Sequence, residues 1–240
     1  MTNFTVRLSD IDIEINSRYD SVKRFAEKYL SEAEPQFSVS VTDEQIEAEK
    51  AVWESDCADD YAESICLYRE IAERLPSLDR FVFHGAAISY GGRAFLFTAP
   101  SGTGKTTHIK LWREYIGNEV DIINGDKPII RFIDDVPYAC GTPWQGKEDY
   151  GTNEMLPLRS IAFFDRGIEN RAFEIPLSEA VTRMASQIYL PKENPKNTLL
   201  AMSLLDKLVR SVRLVRLECN MDIEAALVAM NAMTGVTNEQ

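Results

Sequence analysis

Ala99-Pro100-Ser101-Gly102-Thr103-Gly104-Lys105-Thr106-Thr107 stands between an apolar run, residues 94–98, and a run with helical spacing, residues 106–115, that stops near Gly117. A strand, a glycine-rich turn and a helix in that order form the setting in which a loop wraps a phosphate. Gly102 and Gly104 permit backbone conformations and a closeness of approach that a Cβ blocks. Successive N–H groups then point inward, and the helix N-terminus adds roughly half a positive charge. Lys105 brings a full charge to the β and γ phosphates of a nucleotide, and Thr106 brings a hydroxyl to its magnesium ion. Ser101, Gly102, Thr103, Gly104, Lys105, Thr106 and Thr107 are therefore the expected ATP-binding residues. These residues do not separate ATP from GTP. The first glycine of the strict pattern G-x-x-x-x-G-K-[ST] is Ala99 here, the smallest step away from glycine.

Working outward, residues 81–90 and 94–98 read as two strands around the hairpin signal Gly91-Gly92. After the loop helix come apolar strands at 120–123, 129–133, 136–139 and 161–164. Helices are expected at 178–190 and 198–210, a strand at 212–217 and a last helix at 222–232. The first 80 residues read differently. Residues 5–8, 11–15 and 37–41 alternate apolar and polar, the period of half-buried strands. Residues 18–31 read as a helix. Tyr61, Ile65, Tyr68, Ile71, Ala72 and Leu75 recur at helical spacing before Pro76. The acidic run 43–60 reads as a solvated helix face. This order of elements predicts an α/β protein, with residues 1–80 a small α+β accessory unit and residues 81–240 the core that carries the loop.

A magnesium nucleotide needs a carboxylate beyond the loop, and Asp126 is the first choice. It follows the strand at 120–123 in Asn124-Gly125-Asp126-Lys127-Pro128. There it serves as a metal ligand, as the base for an attacking hydroxyl, or as both. Asp134-Asp135 ranks second, because it falls between two short strands where a hairpin turn is expected. Gly141-Thr142-Pro143-Trp144-Gln145-Gly146-Lys147 mixes glycines, an aromatic and charge, as a loop closing over a substrate does. Lys147 is the expected cation for the transferring phosphoryl group, with Arg159 and Arg166 as further choices. His108 is expected to be structural or near the nucleotide edge.

Composition narrows the partners. The chain of 240 residues carries a net charge of −12. Residues 1–80 hold 19 acidic and 9 basic side chains, and residues 81–240 hold 19 acidic and 17 basic. A negative surface repels nucleic acid and anionic lipid, so neither is an expected partner. No run of apolar residues is long enough to span a bilayer, and the first residues lack the basic start and apolar stretch of a secretory leader. The cytoplasm is the expected location. The four cysteines form no C-x-x-C pair, so reduced, buried thiols are expected rather than zinc. An oligomer is left open.

His84-Gly85-Ala86-Ala87-Ile88, then Gly91, then the strand and the loop from Ser101 to Thr106, resembles HPr kinase/phosphorylase. The loop itself also looks like that of ATP-dependent phosphoenolpyruvate carboxykinase. The match covers about residues 81–130. Ile123-Asn124-Gly125-Asp126 is similar to the acidic strand end of both families. Gly141–Lys147 and Pro157-Leu158-Arg159-Ser160-Ile161 look like a stand-alone bacterial subgroup. The resemblance implies a P-loop, mixed-sheet core, with Asp126 deprotonating an acceptor hydroxyl and His84 near the transferred phosphate. It implies ATP and magnesium as cofactors, held by Thr106 and Asp126. The acceptor would be a peptide serine or a small hydroxyl metabolite. Both families carry two adjacent aspartates where this chain has Asp126-Lys127. A nucleotide-binding regulatory module without catalysis, or a carboxykinase-type lyase, are the alternatives.

Overall fold

In the computed structural model, which describes residues 1–53, 57–100, 102–146 and 151–235, the first alternating segments form a hairpin. Strand β1 (Thr2–Leu8) pairs antiparallel with β2 (Ile11–Ser17). Ser9 and Asp10 turn the chain with φ of 48° and 60°, the left-handed pair of a tight hairpin turn. The apolar side of the hairpin (Val6, Leu8, Ile11, Ile13, Ile15) is buried. The helix expected over 18–31 is cut short. Helix α1 (Asp20–Phe25) gives way to a 3-10 turn, Glu27–Tyr29, and then to β3 (Leu30–Ser31). The free edge of β1 takes that segment as its partner, Val6 opposite Leu30, and this pairing overrides local helical preference. Strand β4 (Phe37–Ser40) adds parallel to β2, completing the order β3-β1-β2-β4.

The acidic run is helix on both sides of residues 54–56. Helix α2 (Asp43–Lys50) starts with a capping box between Thr42 and Gln45. Helix α3 (Asp59–Arg74) buries Ala62, Cys66, Leu67, Ile71 and Ala72. It also buries Glu63, whose carboxylate accepts from Ser17 Oγ at 2.6 Å and from the Arg18 backbone N–H at 2.9 Å. A buried carboxylate is tolerable only with such donors.

The remaining strands form one nine-stranded mixed sheet. They are β5 (Arg80–Val82), β6 (Ala86–Tyr90), β7 (Arg93–Thr98), β8 (Asp121–Asn124), β9 (Ile129–Ile133), β10 (Val136–Cys140), β11 (Met155–Arg166), β12 (Arg171–Glu174) and β13 (Arg213–Cys219). Their order is β5-β9-β10-β11-β7-β6-β8, with β13 beside β11 and β12 outside it. The pairs β11–β7 and β11–β13 are parallel, and the other pairs are antiparallel. The chain is thus a mixed α/β protein.

Both faces of β7 and β11 are covered. Phe95, Phe97, Ala162 and Phe164 face α4 (Lys105–Ile116) and α7 (Glu224–Thr234). Leu96, Ile161 and Phe163 face α5 (Leu177–Ala185) and α6 (Pro195–Ser211). A strand buried on both sides reads as a continuous apolar run, which is why alternation was absent there.

Three details depart from the expected elements. Residues 81–90 are two strands, broken at His84-Gly85. A Cβ on Gly85 would lie 2.8 Å from the Phe97 carbonyl oxygen, so the chain crosses β7 closely at that point. Helix α5 ends at Ala185 because the next residues pair with the β5 segment, Tyr189 N–H donating to Val82 O at 3.0 Å. Strand β12 is fully exposed and pairs only with β13, leaving no apolar period to read.

Residues 1–80 share a core with the large sheet. Val82, Ile129, Cys140 and Trp144 pack into the cluster built by β1, β2 and α3. Trp144 is the largest of these joints. Its ring lies 5.3 Å from Tyr68 and 6.4 Å from Phe25, and its Nε1–H donates to Ser64 O at 3.1 Å. Trp144→Ala is expected to cost about 3–5 kcal/mol, the range for emptying a buried aromatic site. Urea unfolding checks this; a change within error of zero would remove Trp144 from the shared core. Cys57, Cys66, Cys140 and Cys219 are buried and joined in no disulfide. Among the described residues, no helix is long and apolar enough to cross a membrane.

Candidate functional site

The glycine-rich loop runs from the end of β7 to the start of α4. Gly102 and Gly104 hold φ of 76° and 120°, conformations that an L side chain rarely adopts. A Cβ on Gly102 would meet nothing within 4 Å, so the loop is open on that side. Gly104 is the N-cap of α4 and no side chain caps it. The first-turn N–H groups of Lys105, Thr106 and Thr107 therefore lack intrahelical partners and form the positive end of the helix dipole. Thr106 is half-buried and Thr107 exposed. Thr103 Oγ1 donates to Pro100 O at 2.7 Å and holds the turn. Ser101 lies outside the described residues.

Two cations fix this loop from within and from outside. Lys105 Nζ donates to Ala99 O at 2.7 Å, folding the ammonium back across the mouth of the loop. Burial lowers the Lys105 pKa and Lys127 adds to that, while Asp126 opposes it. Arg166, at the end of β11, donates from Nε to Thr103 O at 3.0 Å and from a terminal nitrogen to Gly102 O at 2.6 Å. Arg166 is thus a tether of the loop backbone.

Asp126 is set by a local turn. Asn124 is fully buried, and its Oδ1 accepts the backbone N–H groups of Asp126 at 2.8 Å and Lys127 at 2.6 Å. Its amide nitrogen donates to Thr142 O and Oγ1, both at 3.0 Å. The Asp126 carbonyl accepts from Gly85 N–H at 2.9 Å, so the His84-Gly85 break and the carboxylate turn are one unit. One carboxylate oxygen of Asp126 meets His84 Nε2 at 3.2 Å and the other meets Lys127 Nζ at 2.7 Å. Burial pushes the Asp126 pKa up, but the His84 hydrogen bond and the Lys127 charge outweigh it and bring it down to about 2. The group is an anion at every physiological pH. Gly146 passes directly over it, since a Cβ there would lie 3.3 Å from Asp126 Cβ.

The sequence-based choices divide as follows. Asp126 and His84 come together, Lys105 lies within reach of the Asp126 charge, and Thr98 Oγ1 donates to His84 O at 3.2 Å. Asp134 and Asp135 are the β9–β10 turn, with φ of 46° and 67°, and Asp135 is held by Lys207 at 2.7 Å. Trp144 is a packed anchor rather than a substrate-facing ring. Lys147 lies outside the described residues. Arg159 sits at the far end of the sheet from the loop. Asn124 and Lys127 received no role from the sequence; Asn-Gly-Asp is a strong local turn signal that pointed to the former. Among the described residues, no trio of His, Cys, Asp and Glu gathers as a metal site. A magnesium ion would have only Thr106 and Asp126 here, which suits a cation that keeps most of its waters and phosphate oxygens.

His108 is structural. It is 1% exposed, between the rings of Phe97 and Phe164 at 5.1 and 5.0 Å, and its Nε2 accepts from Trp112 Nε1. Burial pushes its pKa down to about 4. The neutral imidazole thus supports the fold above its unfolded value near 6.5, and that support is lost as pH falls toward 4. Denaturation midpoints followed from pH 7 to pH 4 are expected to fall more steeply for the native chain than for His108→Gln. Parallel curves would remove His108 as the cause.

No protein-family model and no curated protein matches this chain. What the site offers is an open helix start with a lysine folded across it, and an ionised carboxylate, paired with a histidine, whose charge acts on that lysine.

Proposed function

We propose that this chain is an ATP- and magnesium-dependent kinase that transfers the γ-phosphoryl group to a hydroxyl, with a core like that of HPr kinase. The observation that carries the reading is the convergence of Lys105 at the uncapped start of α4 with the anionic Asp126 beside His84. Residues 81–240 would supply this machinery and residues 1–80 an accessory unit packed against it. The acceptor would be a peptide serine or a small hydroxyl metabolite.

Magnesium, when bound between Thr106 and Asp126, would draw charge from the phosphate oxygens. The loop N–H groups and Lys105 would hold the oxygens on which charge grows in transfer. Lys105 would leave its bond to Ala99 O to do so. Asp126 would take the proton of the acceptor hydroxyl as the new O–P bond forms and the bond to the β-phosphate oxygen breaks. His84 would orient that carboxylate. Arg166 would keep the loop backbone in its open form through Gly102 and Thr103.

One observation favours a second reading, a nucleotide-binding module without turnover. Lys127 occupies an oxygen of Asp126 at 2.7 Å, a place a metal would need. Titration calorimetry with MgATP and transfer of labelled phosphate to serine peptides, inositol and small alcohols separate the two. Binding with transfer supports the kinase. Binding without transfer to any acceptor supports the module. Absence of MgATP binding ends both readings.

A further inference from the structure

We propose that the chain holds a second small-molecule site, for an organic phosphate monoester, among Arg93, Arg159 and Arg213 at the end of the sheet remote from the glycine-rich loop. A cavity of about 420 Å³ opens there, lined by Tyr90, Arg93, Phe95, Pro157, Arg159 and Ser211 among others. Small-molecule sites fall at about 300–1,000 Å³. The length of β7, from Arg93 to Thr98, separates it from the loop. At about 3.3 Å per residue that is roughly 17 Å.

The arginines are brought together by specific features. The register between β11 and β7 slips between Leu158 and Ser160, so Arg159 is the extra residue of a bulge. Bulges re-aim a side chain and recur beside functional sites. Arg213 opens β13, the other parallel neighbour of β11. A Cβ on Gly235 would lie 3.6 Å from a terminal nitrogen of Arg213 and 3.9 Å from one of Arg159. The guanidinium groups of Arg159 and Arg213 therefore meet at the end of α7; Arg159 and Arg93 line the cavity, and Arg213 stands beside Arg159 without lining it.

Among the described residues, this positive charge has no ion-pair partner. None of the ion pairs among the described residues includes Arg93, Arg159 or Arg213. Asp135 lines the cavity, but Lys207 holds its carboxylate at 2.7 Å. The C-terminal end of α7 offers roughly half a negative charge against three positive ones. Among the described residues, Asp135 is the one carboxylate on the cavity wall, in a chain of net charge −12. Like charges gathered without a counter-charge weaken the folded state and attract an anion. Guanidinium forks match phosphate oxygens in pairs. A phosphate monoester offers three terminal oxygens to the forks of Arg93 and Arg159, where a carboxylate offers two. Tyr90 and Ser211 carry hydroxyls, and Phe95, Pro157 and Leu158 provide an apolar wall for the organic part.

The test is titration calorimetry of the full chain at fixed ionic strength with glucose 6-phosphate, inorganic phosphate and citrate. Three proteins are compared: native, Lys105→Ala, and the double variant Arg93→Gln with Arg159→Gln. Glucose 6-phosphate is expected to bind the native and Lys105→Ala chains alike, and the double variant at least about tenfold more weakly, as loss of charge-assisted bonds dictates. Should the double variant not fold, Arg159→Lys, which keeps charge but loses the fork, is expected to weaken binding on its own. No binding to the native chain, equal binding to the folded arginine variants, or loss with Lys105→Ala would each overturn the site. Citrate binding as tightly as the phosphate ester would overturn the assignment to phosphate.

Discussion

The Lys105→Ala variant is expected to fold normally and to lose turnover by about a hundredfold or more, the scale for removing one preorganised donor of charge. Alanine is the best helix former, so the first turn of α4 keeps its shape. The ammonium it removes is half-buried and, among the described residues, bonds the loop carbonyls of Ala99 and Pro100 within its own turn. The fold therefore loses little. The transition state loses the one full positive charge that the loop itself carries. Steady-state assay of labelled phosphate transfer, with circular dichroism to verify folding, measures the effect. Full turnover in the variant would show that the loop does not handle the phosphoryl group.

Asp126→Asn is expected to lower kcat by about 10²–10⁴-fold, the range for a positioned proton acceptor. Asparagine retains an oxygen that can accept from His84, so the geometry survives while the negative charge goes. The pH profile distinguishes this role from a structural one. With its pKa held at about 2, the native carboxylate is ionised throughout the working range. The sign follows: protonation switches the group off only as pH falls toward 2, so Asp126 contributes no acid limb between pH 5 and pH 8. The variant should be slow at every pH in that window. An asparagine variant that recovers native kcat at any pH there would rule out Asp126 as the base.

The two halves of the site were not equally legible. Gly102, Gly104, Lys105 and Thr106 are near neighbours in the chain, and the strand before them and the helix after them follow from local periodicity. Backbone conformation at a glycine is a local property, so the turn could be read without tertiary contacts. Asp126 was legible only as the end of a strand. Its meeting with His84 depends on the break at Gly85, and that break follows from the nearness of the Phe97 carbonyl on a different strand. The position of Arg159 could not be read at all. It looked like a cation for the loop, and the parallel register of β11 with β7 places it beside Ala94 and Phe95, at the end of β7 away from the loop.

The same division runs through the fold. The amino-acid order alone determined the two strands within residues 2–17, helices α3, α4 and α6, and the strand–loop–helix unit, because each is specified by apolar period, caps and turn residues within a few positions. Only the tertiary structure decided that 81–90 is two strands, that α1 stops at Phe25, that Trp144 joins residues 1–80 to the large sheet, and that His84 meets Asp126. Those outcomes rest on pairings between residues far apart in sequence. Their energies come from strand edges, close backbone approach and burial against distant side chains, none of which leaves a period in the local sequence.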